Sequence, residues 1–200
     1  MNDTATLARL IENLIRFGTI AETQMKPPRV RVKTGGLTTG WLPWLVLRAG
    51  ADVDWDPPTK NEQVLLLSPS GQLGNAVVIT GIYSDTIPAN GDRVGLHRRT
   101  YQDGAVIEYD SVAHQLRAQL PAGGSTELIS SGGIHLVGPV THEGDYTQKG
   151  NFTQTGSYSQ TGNQTVTGKV SVSADVVAAG ISLVKHVHVG NLGAPTSPPQ

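Results

Sequence analysis

Residues 144–168 read GDYTQKGNFTQTGSYSQTGNQTVTG, with glycine at every sixth position. The phase runs outward from there. Gly132 and Gly138 precede it, and Ala174 and Gly180 follow in step. The second residue after each glycine is apolar or aromatic at Ile134, Val140, Tyr146, Phe152, Tyr158, Val170 and Val176, with Gln164 the exception. The fourth is Leu136, His142, Gln148, Gln154, Gln160, Val166, Val172 and Ala178. The third is mostly a hydroxyl residue, as at Thr141, Thr147, Thr153, Ser159, Thr165 and Ser171. Six is a multiple of two, the side-chain period of an extended strand, so the even offsets keep to one face through the whole repeat. That face holds the glycines, aromatics, valines and glutamines and is expected to be inward. Asp145, Asn151, Ser157, Asn163 and Lys169 fall on the other face with the hydroxyls, toward water.

A single strand of this kind has nothing to bury its inner face against. It must coil on itself or wind with copies. A self-coiled left-handed β-helix also has a hexapeptide repeat, with an aliphatic residue just before the glycine-like position. Here that place holds Ser131, Val137, Glu143, Lys149, Thr155, Thr161 and Thr167, and one of the seven fits. Three chains wound about a common axis fit better. Glycine permits close approach or sharp turning, and Gln148, Gln154 and Gln160 are expected to hydrogen-bond around the axis. A structureless Gly/Thr/Gln linker is the competing reading, and it gives no reason for a phase held across eight hexads.

Continuing by twos, the inner-face series reaches Val184, His186 and His188, provided the strand runs unbroken. Two imidazoles from each of three chains would present six nitrogens to one ion. Six ligands argue against structural zinc, which is almost always tetrahedral; iron is the first expectation, with nickel or cobalt chemically acceptable. His186 and His188 are therefore the candidate metal ligands. His142 shares the inner face as a core histidine or minor second site. His97, His114 and His135 read as surface or turn positions.

The rest of the chain suits an all-β protein. Of 200 residues, 38% are apolar, 5% are aromatic, and 24 are glycine and 12 proline, which is thin for one globular core and rich in turn formers. The net charge is −1 and no basic stripe marks a nucleic-acid surface. The absence of cysteine excludes disulfides and thiolate chemistry. No stretch has the form of a secretory signal or is apolar for long enough to span a bilayer as a helix, so a chain made in the cytoplasm without its own export signal is expected. Leu7, Leu10, Ile11, Leu14 and Ile15 recur at helical spacing. They predict a helix over 3–17, capped by Asp3 or Thr4, ended by Gly18 and docked on a neighbouring domain or chain. Short apolar runs (Val30/Val32, Trp41–Leu47, Val64–Leu67, Ala76–Ile79) separated by Gly and Pro turns predict a small OB-like barrel. Pro88–Asp92 reads as a linker. Further strands are expected over 94–121, with a hairpin at Gln102-Asp103-Gly104. The expected organisation is helix 1–18, barrel 19–87, linker 88–93, intertwined trimeric β-helix needle 94–185, and metal-binding apex with tail 186–200.

Several stretches together resemble the baseplate assembly protein V family, the central spikes of contractile phage tails and R-type pyocins. They are Thr34-Gly35-Gly36, Trp41-Leu42-Pro43-Trp44, Arg48-Ala49-Gly50, Glu62–Leu66, Gly81-Ile82-Tyr83, Asp103–Tyr109, and the His186-x-His188 pair before a Gly/Pro/Ser-rich tail. The resemblance implies an OB-fold, a homotrimeric β-helix needle and one iron ion held octahedrally by two histidines from each chain. It also implies a virion or tailocin particle as the location, docking of the N-terminal half on a baseplate hub, and piercing of the bacterial outer membrane when the sheath contracts. That is a mechanical role and not an enzymatic one. The alternatives are a glycan-degrading tailspike, which needs a carboxylate pair in a groove, or a carbohydrate-binding fibre with its aromatics outward. Glu108/Asp110 and Glu143/Asp145 are the carboxylate pairs available, and neither lies among exposed aromatics.

Overall fold

The computed structural model describes residues 3–197, so residues 1–2 of the expected N-terminal segment 1–18 and residues 198–200 of the expected tail 186–200 lie outside the described residues. It is built mostly of strands with one short α-helix, and it divides into two compact units, one ending at Ile134 and the other starting at His135.

The first unit is organised by β1 (Ile15–Gln24), β2 (Arg29–Thr34), β3 (Leu37–Thr38), β4 (Gln63–Leu67) and β5 (Val77–Ile82). They form one antiparallel sheet in the order β3-β2-β1-β4-β5. Alternation decides what faces inward. Val30, Val32 and Thr34 on β2 and Val64 and Leu66 on β4 are buried, while the residues between them are partly or fully exposed. With Ile20, Leu42, Ala76 and Val78 they make the core, against which Trp44 and Leu73 pack. Each buried Val, Leu or Ile contributes about 1.5–3 kcal/mol of transfer free energy.

The Trp41–Leu47 run closes this sheet. Leu42 exchanges two backbone bonds with Val30 (2.8 and 2.9 Å), then Val78 donates to the Pro43 carbonyl (3.0 Å) and Leu45 donates to that of Val78 (2.8 Å). One segment thus joins β2 to β5, the far end of the sheet. Pro43 lacks an N–H, and the run is a bridge instead of a regular strand.

The helix α1 (Thr4–Glu12) is shorter than the expected 3–17, and β1 takes Ile15–Gly18. Side-chain periodicity does not distinguish the two for a stripe this short, and pairing does. Ile15 lies opposite Leu67 and Gly18 opposite Val64. Asn13 ends the helix and accepts from Arg16 (2.9 Å). Gly18 is not a helix stop. A Cβ there would lie 2.5 Å from Val32 Cγ1 and 2.7 Å from the Lys33 carbonyl oxygen, so glycine lets β1 and β2 cross closely.

Residues 83–95 carry no helix or strand, and the 88–93 stretch falls inside the first unit. Asn90 is tied to the next strand, donating to Thr100 Oγ1 (3.1 Å) and accepting from Arg98 (3.0 Å). The strands β6 (Leu96–Thr100), β7 (Val106–Asp110) and β8 (Gln115–Gln119) make a separate antiparallel meander. Its first turn is the expected one: Gly104 has φ +88°, and Ala105 donates to Asp103 Oδ1 (3.0 Å). One face of the meander carries Arg98, Glu108 and Arg117 side by side, and the other His97, Tyr109 and Leu116.

In the second unit, residues 135–173 are exposed throughout and contain no strand. The repeat has a backbone signature nonetheless. Gly138, Gly144, Gly150, Gly156, Gly162 and Gly168 all have φ between +111° and +135°. Each corner from Gly144 to Gly162 is bridged by a side chain. His142 Nε2 donates to the Asp145 carbonyl (3.1 Å), Gln148 to Asn151 (2.8 Å), Gln154 to Ser157 (2.7 Å) and Gln160 to Asn163 (2.8 Å). Tyr146 and Tyr158 donate to Gln148 and Gln160 (3.1 and 2.9 Å). These two glutamines thus have both amide ends engaged within the chain. The conformational repeat spans Gly138–Gly168. Gly132 is not among the positive-φ residues, and the later phase positions meet a different local structure.

Candidate metal centre

Beyond the repeat, β9 (Val177–Ala178) and β10 (Ile181–Ser182) form a two-stranded hairpin around Ala179 (φ +50°) and Gly180 (φ +83°). A turn over 183–185 follows. The strand therefore does not run unbroken to the histidines, and counting by twos does not carry through this region. His186 and His188 meet by a shorter route. They are two apart in the chain, and their rings lie edge to face with centroids 5.1 Å apart.

His186 is fixed by Ser182. Its backbone N–H and its ring Nδ1 both reach the Ser182 carbonyl oxygen, at 3.1 and 2.8 Å. A carbonyl only accepts, so Nδ1 carries the proton and Nε2 keeps its lone pair free. This is the arrangement in which an imidazole binds a metal through one nitrogen while the other holds the ring in place. The His188 backbone is clamped by the tail. Its N–H donates to Thr196 Oγ1 (2.9 Å), and the Thr196 N–H donates to its carbonyl (2.7 Å). Val189 and Pro195 form a bridge that closes this small hairpin. The pair lies beside a surface cavity lined by Gly180–Ser182 and Lys185–His188.

The donor chemistry fits a transition metal as far as it goes. Two adjacent imidazoles, at least one in the metal-binding tautomer, can supply two nitrogens. Among the described residues, no group of three or more His, Asp or Glu side chains gathers as a ligand set. Among the described residues, the pair thus stands without a third imidazole or carboxylate beside it.

The remaining candidates are dispersed. His97 lies opposite Tyr109 in the meander, His114 is at a turn with φ +54°, and His142 is committed to its corner, packing edge-on against Tyr146. Glu108 is bound by Arg98 (2.7 Å) with Arg117 at 3.7 Å. Asp110 accepts from Arg93 (2.5 Å) and from the Val112 and Ala113 N–H groups. These donors hold its carboxyl well below the usual range. Both carboxylates are thus engaged as acceptors. Glu143 and Asp145 are exposed beside the repeat. The supports of the histidine pair, Asp175, Ser182 and Thr196, were not singled out from sequence. The loss of glycine at phase position 174, next to the first carboxylate after Asp145, is the signal that could have pointed to Asp175.

Comparison with known proteins places the first unit. Residues 16–83 match the family described as the type VI secretion system/phage-baseplate injector OB domain. The matched span runs from β1 to just beyond β5, the closed sheet described above. A curated relative, the spike protein of Escherichia phage P2, is 45% identical over 104 residues. The aligned stretch is 52% of this chain and spans about half the length of that relative, 49%. Both findings agree with the resemblance read from Trp41–Trp44, Glu62–Leu66 and the neighbouring motifs. No helix among the described residues is long and apolar enough to cross a membrane.

Proposed function

We propose that this protein is the central spike of a contractile phage tail or tailocin baseplate, a structural part that pierces the bacterial outer membrane on contraction. The injector OB domain and the similarity to a phage spike protein support the class of function. The observation that carries the mechanical reading is in the second unit. Residues 135–173 repeat one backbone corner and bury none of their side chains within the chain. Such a segment acquires a core only by winding with copies of itself. Three chains in an intertwined β-helix would bury the row from Ile134 to Val176. The barrel would sit on a baseplate hub, and the narrow end would carry the load. His186 and His188 of three chains would hold one ion, iron by preference, whose binding to the assembled form alone stabilises it.

A carbohydrate-binding or glycan-degrading tailspike is the second reading. Tyr146, Phe152 and Tyr158 are about two-thirds exposed in the single chain, at 70%, 68% and 68%. Val170 on the same row is equally exposed, at 65%, and an aliphatic row continuing past the aromatics favours an interchain core over a sugar platform.

Oligomeric mass combined with elemental analysis of the purified protein tests the proposal. A trimer with one transition-metal ion is expected. A monomer, or release of reducing sugar from host polysaccharide, would overturn it.

A further inference from the structure

The histidine pair is held by a network that reaches back to the end of the repeat. Asp175 Oδ1 accepts the Val184 N–H (3.2 Å). The Ser182 hydroxyl and the Val184, Val176 and Leu183 N–H groups surround this carboxylate and hold its pKa below the ordinary value. Ser182 is used twice within this turn. Its Oγ accepts the Lys185 N–H (2.8 Å), and its carbonyl takes both N–H groups of His186. The Leu183 N–H also donates to the Val176 carbonyl (3.0 Å), tying the turn to β9.

We propose that Asp175 is a positioning residue for the metal pair: through the Val184 N–H it fixes the 182–185 turn and thereby the Ser182 carbonyl, the ring orientation and the tautomer of His186. The inference rests on the reading of His186 and His188 as metal ligands, and it adds how the chain presets one of them. A carboxylate suits this place because it only accepts, and every group around it is a donor. An asparagine would turn its own N–H₂ toward one of those donors. The turn would lose its charge-assisted anchor at the Val184 N–H. The His186 ring would then be free to rotate or to change tautomer, and Nε2 would no longer be set for the ion.

The test uses the full chain, stripped with chelator and titrated with ferrous iron and, separately, nickel. Asp175→Asn is expected to weaken the metal by about 10–100-fold, the usual effect of removing a group that orients a ligand, while the oligomeric mass is unchanged. Nitrogen-15 spectra of the metal-free protein should show His186 as the single Nδ1–H tautomer in the parent and a mixture in the variant. Asp175→Glu should recover part of both effects. Ser182→Ala, which keeps the carbonyl and removes the Oγ that accepts the Lys185 N–H, loosens the same turn, should move both readouts in the same direction and stands in should Asp175→Asn fail to fold. Unchanged metal affinity together with an unchanged His186 tautomer in Asp175→Asn would overturn the proposal. A parent protein that binds neither ion would overturn the metal reading instead, and the tautomer measurement would then decide the role of Asp175 by itself.

Discussion

The barrel and the hexad repeat are both made of extended chain, and they solve burial in opposite ways. In the barrel, strands far apart in sequence pair, and Val30, Val32, Val64, Leu66 and Val78 are fully buried within one chain. In the repeat, no residue from 135 to 173 is buried, although the row of valines and aromatics is as regular as any strand of the barrel. The difference lies in the connections. Turns at Gly35-Gly36 and around Pro69–Asn75 send the barrel chain back on itself. The repeat has its glycine corners, one per hexad, and no strand pairing between them. On the proposed reading, a chain built in the second way is finished by copies of itself.

The sharpest way to break this comparison is to change the length of each region by a few residues. Deleting one hexad, 150–155, should leave a trimer that binds metal, because every later residue keeps its face and phase. Deleting five residues, 151–155, should abolish trimer and metal together, since it moves all following side chains to the opposite face. Sedimentation and metal content of the two deletions decide it. Equal behaviour of both would show that side-chain phase does not organise the repeat.

Leu66→Ala tests the other side. It removes a fully buried side chain from the barrel and should cost about 2–5 kcal/mol in that domain's unfolding by denaturant, independent of protein concentration. Tyr158→Ala in the repeat should lower a melting temperature that depends on concentration and leave barrel unfolding unchanged.

Much of this division was legible beforehand, and the parts that were not have physical reasons. The barrel strands stood out because Val-x-Val alternation has one dominant interpretation. The helix was drawn too long because Leu14 and Ile15 satisfy helical spacing, while the partner that claims Ile15, Leu67, is 52 positions away. The glutamines were expected to pair around an axis. Within one chain their amides also reach the carbonyl three residues on, a local bond that periodicity does not reveal. The count that reaches His186 and His188 is interrupted by the hairpin at Ala179–Gly180, and the two rings meet as near neighbours in sequence. Ser182, which fixes the His186 tautomer, acts through its backbone carbonyl, and side-chain identity is silent about that.

Gly156→Ala sharpens the comparison at a single backbone angle. Gly156 has φ +112°, and a Cβ built there meets nothing within 4 Å of the same chain. Within one chain the effect is therefore conformational alone, of order 1–3 kcal/mol for an L-residue held in this region. In a trimer it applies three times per molecule, and a thermal melt of the assembled protein should show it clearly. A melt unchanged by Gly156→Ala would mean that the corner angle is not retained on assembly.

The smallest expected effect is electrostatic and lies in the meander. Asp110 binds Arg93 and caps the turn through Val112 and Ala113, so its folded pKa lies below the unfolded value of about 3.9. A depressed carboxylate pKa contributes stability that is present above the unfolded pKa and is lost as pH falls below it. Asp110→Asn should accordingly lower stability slightly at neutral pH and flatten the acid limb of the stability curve between about pH 4 and pH 2. The interaction is at the surface, so the difference should also shrink in high salt. An acid limb identical in the two proteins would show that Arg93 and the turn do not hold Asp110 in solution. The 110–114 turn would then owe its shape to the β7–β8 ladder alone.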